Sequence, residues 1–359
     1  MRILVVTFGR SQPELGAAQV ALNLADALAA RGHEVVSWAS GSPPAELRGR
    51  HTWRWHRERV RGYLATAAPF DAVDLPPIAI GPGLPGSPLI VARSVQPDLL
   101  YFAAEARGEL GGLARHPLRS AFHLAYGARL CAAVLAGWRR ADTILCLGSR
   151  ERDWMARNLP WTRPKLALYL NGLAPGEREA LARVRAGRRP PNGSGVRWLW
   201  IGRWARHKGT DRLVRFLTRR AAVRPGDTFT IAGCGEGARR DVPEPLLAAG
   251  RVRLVPRFAR ADLPSLLAVH DAGLFTSHAE GWGISLNEML ESGMPVFATD
   301  AGGVSDLRAL LPQALRPFPP PDEPDLAPVA ADWGPYERRC AWDRIAAEYE
   351  ATALAGRTR

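Results

Sequence analysis

Cysteine is scarce in this sequence and never paired. Four occur in 359 residues, at positions 131, 146, 234 and 340, and none forms a C-x-x-C pair. A chain this long needs no disulfides to hold a core, so reduced intracellular thiols are expected. The eight histidines show no H-E-x-x-H or similar spacing, which removes the usual metal motifs. No apolar run reaches the roughly 18 residues of a membrane span. Met1 leads straight into Ile3-Leu4-Val5-Val6, without the layout of a signal peptide. Zinc-finger spacing, a recognition-helix signature and the aromatic-basic motif of RNA-binding modules are missing too. Gly233-x-Gly235-x-Gly237 is too compressed for the G-x-G-x-x-G dinucleotide fingerprint. The expectation is a cytoplasmic protein, soluble or resting peripherally on a membrane.

What is present suits two globular domains. Of the 359 residues 47% are apolar, ample for two cores. Lysine and arginine number 48 against 35 acidic residues, a formal charge of 48 − 35 = +13. Such a surface can meet nucleic acid, anionic lipid or a phosphorylated small molecule. Charge alone does not choose among them, and a nucleic-acid-binding module has no other support.

The first forty residues alternate strand and helix. Residues 3–8 form a short apolar run, as in a strand buried on both faces. Residues 9–16 read as a loop. Val20, Leu24 and Leu28 recur at helical spacing, and Gly32 stops that helix. Residues 34–38 supply a second strand, which predicts a parallel sheet with right-handed crossovers. Residues 41–97 are less legible. Prolines and glycines crowd 75–97, while 51–57 mix aromatic and basic side chains. A strand is expected at 98–102, a long helix at 118–139 and a strand at 142–147. Residues 173–196 read as a linker, because helix breakers are dense at both ends. Alternation then restarts. Strands are expected at 197–201, 228–232, 251–255, 272–276 and 295–299, and helices at 211–220, 263–269 and 283–292. The fold class is therefore α/β, with two doubly wound, Rossmann-like domains, 1–172 and 197–340. Ligands in such sheets bind at the carboxyl ends of strands, and two facing units would hold them in a cleft.

Two segments carry candidate chemistry. Ser277-His278-Ala279-Glu280-Gly281-Trp282-Gly283-Ile284-Ser285-Leu286-Asn287-Glu288 follows a strand and opens a helix. Glu280 and Glu288 can each accept paired hydrogen bonds from vicinal hydroxyls. Gly281 and Gly283 let a polar ligand approach the backbone, and the free N–H groups at the helix start suit a phosphate. The bland alternative is a glycine-rich turn with two solvated glutamates. The second segment is Gly202-Arg203-Trp204-Ala205-Arg206-His207-Lys208-Gly209, again after a strand. Breaking a sugar–phosphate bond leaves negative charge on the diphosphate, and fixed cations stabilise it effectively in a dry cleft. Arg203 can grip two oxygens with its planar fork, and Lys208 adds a point charge. A solvated basic loop is the alternative here.

Together these segments resemble the retaining glycosyltransferases of family 4, which have the GT-B fold. Gly202-Arg203 with Lys208-Gly209 is similar to that family's glycine-arginine and lysine-glycine pair. Ile231-Ala232-Gly233-Cys234-Gly235-Glu236 resembles its strand-then-glycine turn, and Glu280 and Glu288 resemble its two spaced glutamates. Gly293-Met294-Pro295-Val296, Gly302-Gly303 and Asn171-Gly172 follow the same pattern. The match is strong over 197–307, fair over 1–40 and 141–172, and poor between. The resemblance implies that Arg203 and Lys208 hold the donor diphosphate. Glu280 would contact the transferred sugar, aided by the backbone of Gly281, Trp282, Gly283 and Ile284, with Gly202 beside the phosphates. Glu288 would hold the ribose, and Gly16 would approach the donor from the first domain. It also implies a UDP- or GDP-sugar donor, no bound metal, retention at the anomeric carbon and no protein nucleophile. The first domain would select the acceptor, and residues 341–357 would form a helix returning to it. A hexose transferred to a sugar or lipid-linked acceptor, in bacterial glycan, lipopolysaccharide or glycolipid synthesis, is the implied role.

Three departures stand out. Gly16-Ala17 replaces two glycines, Asp306 stands where a glutamate often follows Gly302-Gly303, and the acceptor-side histidine is not recognisable. Glu105 and Glu109 are the remaining acceptor-side candidates, with surface glutamates as the plainer reading. The basic and aromatic mix at 51–63 and the arginines of 115–140 suit either an anionic membrane or simple solvation. The rival functions are a sugar-nucleotide epimerase, a phosphorylase and a basic nucleic-acid-binding protein.

Overall fold

The computed structural model describes residues 1–8, 16–47, 52–86, 88–114, 116–191, 195–327, 329 and 331–355. Most of the expected loop at 9–16, together with His51, Arg115 and residues 192–194, lies outside the described residues. The chain divides into two compact units, Met1–Gly172 with Arg339–Arg359, and Leu173–Arg338.

The first unit runs β1 (Arg2–Thr7), α1 (Gly16–Ala30), β2 (Glu34–Ala39), α2 (Thr52–Thr66), β3 (Ala72–Leu75) and β4 (Leu89–Arg93). It continues α3 (Asp98–Gly112), α4 (Pro117–Arg140), β5 (Thr143–Leu147), α5 (Ser149–Asn158) and β6 (Leu166–Tyr169). All six strands are parallel, in the order β2-β1-β3-β4-β5-β6. Ile3, Leu4, Val5 and Val6 are fully buried. Covering both faces of an inner strand removes the need for alternation, which is why that run is continuously apolar.

Residues 98–102 are helical, not the strand expected from their apolar run. They open α3, and the alanines and Glu105 that follow favour a helix over a strand of four apolar residues. Strands β3 and β4 lie within residues 41–97, where no strand was expected, and only β4 falls inside the proline- and glycine-rich part. The aromatic and basic stretch lies on α2, whose buried face is His56, Val60 and Leu64.

The second unit runs α6 (Pro175–Gly187), β7 (Arg197–Ile201), α7 (Thr210–Val223), β8 (Thr228–Ala232), α8 (Glu244–Ala248), β9 (Val252–Val255) and α9 (Leu263–Ala268). Then come β10 (Ala272–Phe275), α10 (Ile284–Glu291), β11 (Val296–Ala298), α11 (Val304–Leu310), β12 (Leu315–Pro317) and α12 (Gly334–Arg339). Its sheet is parallel in the order β12-β11-β10-β7-β8-β9. The chain steps outward from β7 to β9, then returns to lay β10 on the other side of β7. Strand order therefore reverses between β7 and β10. Loops leaving the carboxyl ends of two such strands diverge and leave a crevice, the usual binding place in this architecture.

Part of the expected linker is built into this unit. Pro175 sits at the start of α6, where its missing N–H costs nothing, and Leu181 is buried. Arg188 donates to the carbonyls of Leu267 at 2.9 Å, His270 at 2.8 Å and Ser292 at 2.9 Å. A basic, breaker-rich segment is thus fixed by capping other helices rather than by a core of its own.

A final helix, α13 (Trp342–Tyr349), belongs to the first unit. Its Tyr349 hydroxyl donates to Asp74 Oδ2 at 3.0 Å, and Arg93 Nε donates to Asp74 Oδ1 at 2.6 Å. Nearby, Ser94 Oγ lies 2.6 Å from Glu151 Oε1 and 2.9 Å from the Gln96 carbonyl. One hydroxyl proton cannot serve both. A protonated Glu151 solves this, donating to Ser94, which donates to Gln96. Burial pushes the Glu151 carboxyl up to about 8, despite the hydrogen bond from the Leu147 N–H. The folded-state value lies above the unfolded one, so the native state loses stability as pH rises from about 4.5 towards 8. Glu151→Gln keeps both hydrogen bonds and removes that loss. Its melting temperature should exceed the parent's at pH 8 and converge with it near pH 5. Parallel melting curves across this range would show that Glu151 is ionised in the fold.

Candidate active site

Two loops meet at the β7/β10 reversal. After β7, Gly202 to Ala205 lead into a 3-10 turn, Arg206–Lys208, and Gly209 starts α7. After β10, residues 276–283 lead into α10. The parallel register, with Trp200 opposite Leu274, sends both loops out at the same end. Several bonds stitch them together. His278 N and Ala279 N donate to the His207 carbonyl at 2.7 and 3.2 Å. Thr276 Oγ1 donates to the Lys208 carbonyl at 2.8 Å and receives Trp200 Nε1 at 3.1 Å. Gly209 has φ +69°, and a Cβ there would lie 1.8 Å from the Thr276 carbonyl oxygen. Only glycine lets the two backbones come this close.

That stitching sets Lys208 Nζ against Glu280 Oε2 as an ion pair largely shielded from water. Ser277 Oγ also donates to Glu280, at 3.2 Å. Burial pushes the Glu280 carboxyl up, but the charge and hydrogen bond of Lys208 outweigh it and hold the group below its usual range. His207 is forced down to about 4, first by burial and then by the charges of Lys208 and Arg203. It is neutral at pH 7. Arg203 is exposed, and no carboxylate pairs with it among the described residues. Its guanidinium is therefore open to an anionic ligand.

The glutamate segment is shaped by glycines. Gly281 and Gly283 are buried, and Ile284 is half-buried at the start of α10. Trp282 is buried as well, and its Nε1 donates to Asn287 Oδ1 at 2.6 Å. Asn287 Nδ2 donates in turn to the Tyr336 hydroxyl at 2.9 Å, which donates to Glu291 at 2.7 Å. The indole packs on the backbone of Gly303, where a Cβ would come within 2.6 Å of the ring. Trp282 thus serves the fold through its side chain, and only its main chain is available to a ligand.

Glu288 is 2% exposed and receives Arg260 Nη1, and the same guanidinium bonds Glu177 of α6. Burial pushes the Glu288 carboxyl up, against the charge and hydrogen bond of Arg260. The charge of Lys208 also reaches it, so both glutamates lie in one electrostatic field. Sequence reasoning missed Arg260 and Glu177. No local spacing signals them, since Arg260 lies 28 residues from Glu288 and 83 from Glu177.

The remaining candidates lie elsewhere. Gly16 is the first residue of α1, and the loop before it is outside the described residues. Gly202 packs against the Trp200 ring. Glu105 and Glu109 lie on α3, so they do not follow a strand end as expected. Glu109 receives His123 Nδ1 at 3.0 Å, and that hydrogen bond draws its carboxyl down. His278 Nε2 pairs with Asp211 Oδ1 at 2.6 Å, a loop anchor. Among the described residues no group of three or more His, Cys, Asp or Glu side chains converges as a metal site needs.

Residues 195–319 match the family model described as Glycosyl transferases group 1. The matched span begins just before β7 and ends after β12, so it contains both loops. The chain is similar to the GDP-mannose-dependent alpha-mannosyltransferase of Mycolicibacterium smegmatis, at 26% identity over 337 residues, 86% of this chain and 82% of that protein. A shorter match is to the glycogen synthase of Mycobacterium tuberculosis, at 27% over 172 residues, 47% of this chain. The chain spans only 40% of that glycogen synthase's length. In three dimensions it is similar to sucrose-phosphate synthase from Thermosynechococcus elongatus, with a TM-score of 0.65 at 17% identity, covering 99% of this chain and 96% of that one. The fold is GT-B, built on two Rossmann-like domains.

Proposed function

We propose that this protein is a retaining glycosyltransferase that moves a hexose from a UDP- or GDP-sugar to an acceptor hydroxyl, without a bound metal. The observation that carries this reading is the shielded Lys208–Glu280 pair at the strand-order reversal, with Arg203 on the same loop as Lys208, exposed and without a carboxylate partner among the described residues. A nucleotide-sugar donor is the ligand class that uses all three. Arg203 and Lys208 receive the diphosphate, whose charge grows as the bond to the sugar breaks. Glu280, kept ionised by Lys208, accepts hydrogen bonds from sugar hydroxyls and fixes the ring. Glu288 takes the ribose, and the backbone of Gly281 to Ile284 contributes N–H donors.

The reaction needs no protein nucleophile on this reading. The C1–O bond to the diphosphate breaks, and a C1–O bond to the acceptor forms on the same face. The acceptor proton passes to the departing phosphate oxygen. The first unit takes the acceptor, a sugar or a lipid-linked glycan made in bacterial envelope or storage synthesis.

The test is incubation with a panel of nucleotide sugars and acceptors, followed by product analysis. A glycoside with the donor's anomeric configuration and one equivalent of nucleoside diphosphate is expected. An isomerised nucleotide sugar with no glycoside would assign the site to an epimerase. An inverted glycoside would remove the retaining mechanism.

A further inference from the structure

Glu288 lies in the second turn of α10, Arg260 follows β9 and Glu177 lies in the first turn of α6. One guanidinium joins them. Nη1 of Arg260 donates to Glu288 Oε1, while Nη2 and Nε donate to Glu177 Oε1, the latter at 3.1 Å. Glu177 is itself held, since its Oε2 receives the Ala174 N–H at 3.3 Å. A planar fork gripping two fixed carboxylates has little freedom, so the direction of the Glu288 carboxylate is set. Oε2 of Glu288 receives no hydrogen bond among the described residues. It is an oriented acceptor on a side chain otherwise removed from water.

We propose that Arg260, anchored by Glu177, is a positioning residue that fixes Glu288 so that its open carboxylate oxygen receives a ribose hydroxyl of the nucleoside diphosphate. This rests on the donor-site reading above. A purely structural ion pair between α6, α10 and the β9 loop would affect stability alone. A positioning role also affects how strongly ribose hydroxyls contribute to binding.

The experiment compares a ribonucleoside diphosphate, UDP or GDP, with its 2′,3′-dideoxy counterpart and with inorganic pyrophosphate. Binding is measured by calorimetry for the wild type, Arg260→Met, Arg260→Lys and Glu177→Gln. The wild type should prefer the ribonucleotide by about tenfold or more, the size expected when a site built for a hydroxyl loses it. Arg260→Met should lower that ratio to about threefold or less, with pyrophosphate affinity within about twofold of the parent. Glu177→Gln keeps the guanidinium but loosens its anchor, so its ratio should also fall. Arg260→Lys should lie between, because an ammonium cannot bridge both carboxylates in one plane. The same ratio in the wild type, Arg260→Met and Glu177→Gln overturns the inference and leaves the donor site standing. A wild type that binds none of the nucleotides overturns both.

Discussion

Replacing Lys208 with methionine is expected to lower kcat/KM for sugar transfer by about 10²–10³-fold, the usual effect of removing one preorganised group that stabilises transition-state charge. Lys208 is a strong choice because its ammonium is already positioned and partly desolvated. Its side chain is 17% exposed and that of Glu280 13%. The substitution has a second effect. It leaves Glu280 shielded and unpaired, an arrangement that costs about 3–5 kcal/mol when the orphaned charge is fully buried. Part of that is relieved by protonation, since burial already pushes this carboxyl up and only Lys208 and its neighbours hold it down. The double variant Lys208→Met/Glu280→Gln separates the two effects. It should recover most of the lost melting temperature and none of the activity. Recovery of activity as well would mean that the lysine only neutralises Glu280.

Gly209→Ala is expected to destabilise the second unit by about 2–5 kcal/mol and to abolish transfer. The left-handed backbone at φ +69° costs an alanine about 1–2 kcal/mol. The larger part is steric, because the new methyl would lie 1.8 Å from the Thr276 carbonyl oxygen. Backbone cannot yield as a flexible side chain does, so the β7 and β10 loops must separate, at a further cost of about 1–3 kcal/mol. Separation pulls Lys208 away from Glu280. For a unit of this size the melting temperature should fall by roughly 5–15 °C. Gly250→Ala is the control. Gly250 has nearly the same φ, +67°, but nothing within 4 Å of its added Cβ. It should lose only the conformational part and keep activity. Equal losses in the two variants would show that crowding at Thr276 is not what requires glycine.

Much of the second unit is legible in sequence for a physical reason. Its strands Arg197–Ile201 and Thr228–Ala232 are short apolar runs bounded by glycine and charge, and its site segments follow strand ends directly. Position after a strand, more than residue identity, marks Arg203, Lys208, Glu280 and Glu288. What sequence hides is long-range. The Arg260 bridge joins residues from three elements, and the Asp74–Arg93 pair crosses two neighbouring strands. Residues 98–102 show the limit of periodicity, because a run of four apolar residues suits a strand or a buried helix turn equally. Glu105 and Glu109 accordingly lie along α3 and not after a strand end. Trp282 shows a different limit. Adjacent glycines suggest an open turn, yet its indole is buried against Gly303, and a Cβ at Gly283 would come within 2.8 Å of the Phe275 ring.

On the proposed function, the loops after β7 and β10 hold a nucleoside diphosphate. Thermal unfolding with UDP, GDP and other nucleoside diphosphates tests it most directly, on the wild type, Arg203→Ala and Glu288→Ala. A ligand that binds only the folded state stabilises it by about 2.7 kcal/mol at a hundredfold excess over Kd. UDP or GDP should raise the wild-type melting temperature, and the shift should vanish in both variants. No shift with any nucleoside diphosphate, or an undiminished shift in both variants, would contradict the account.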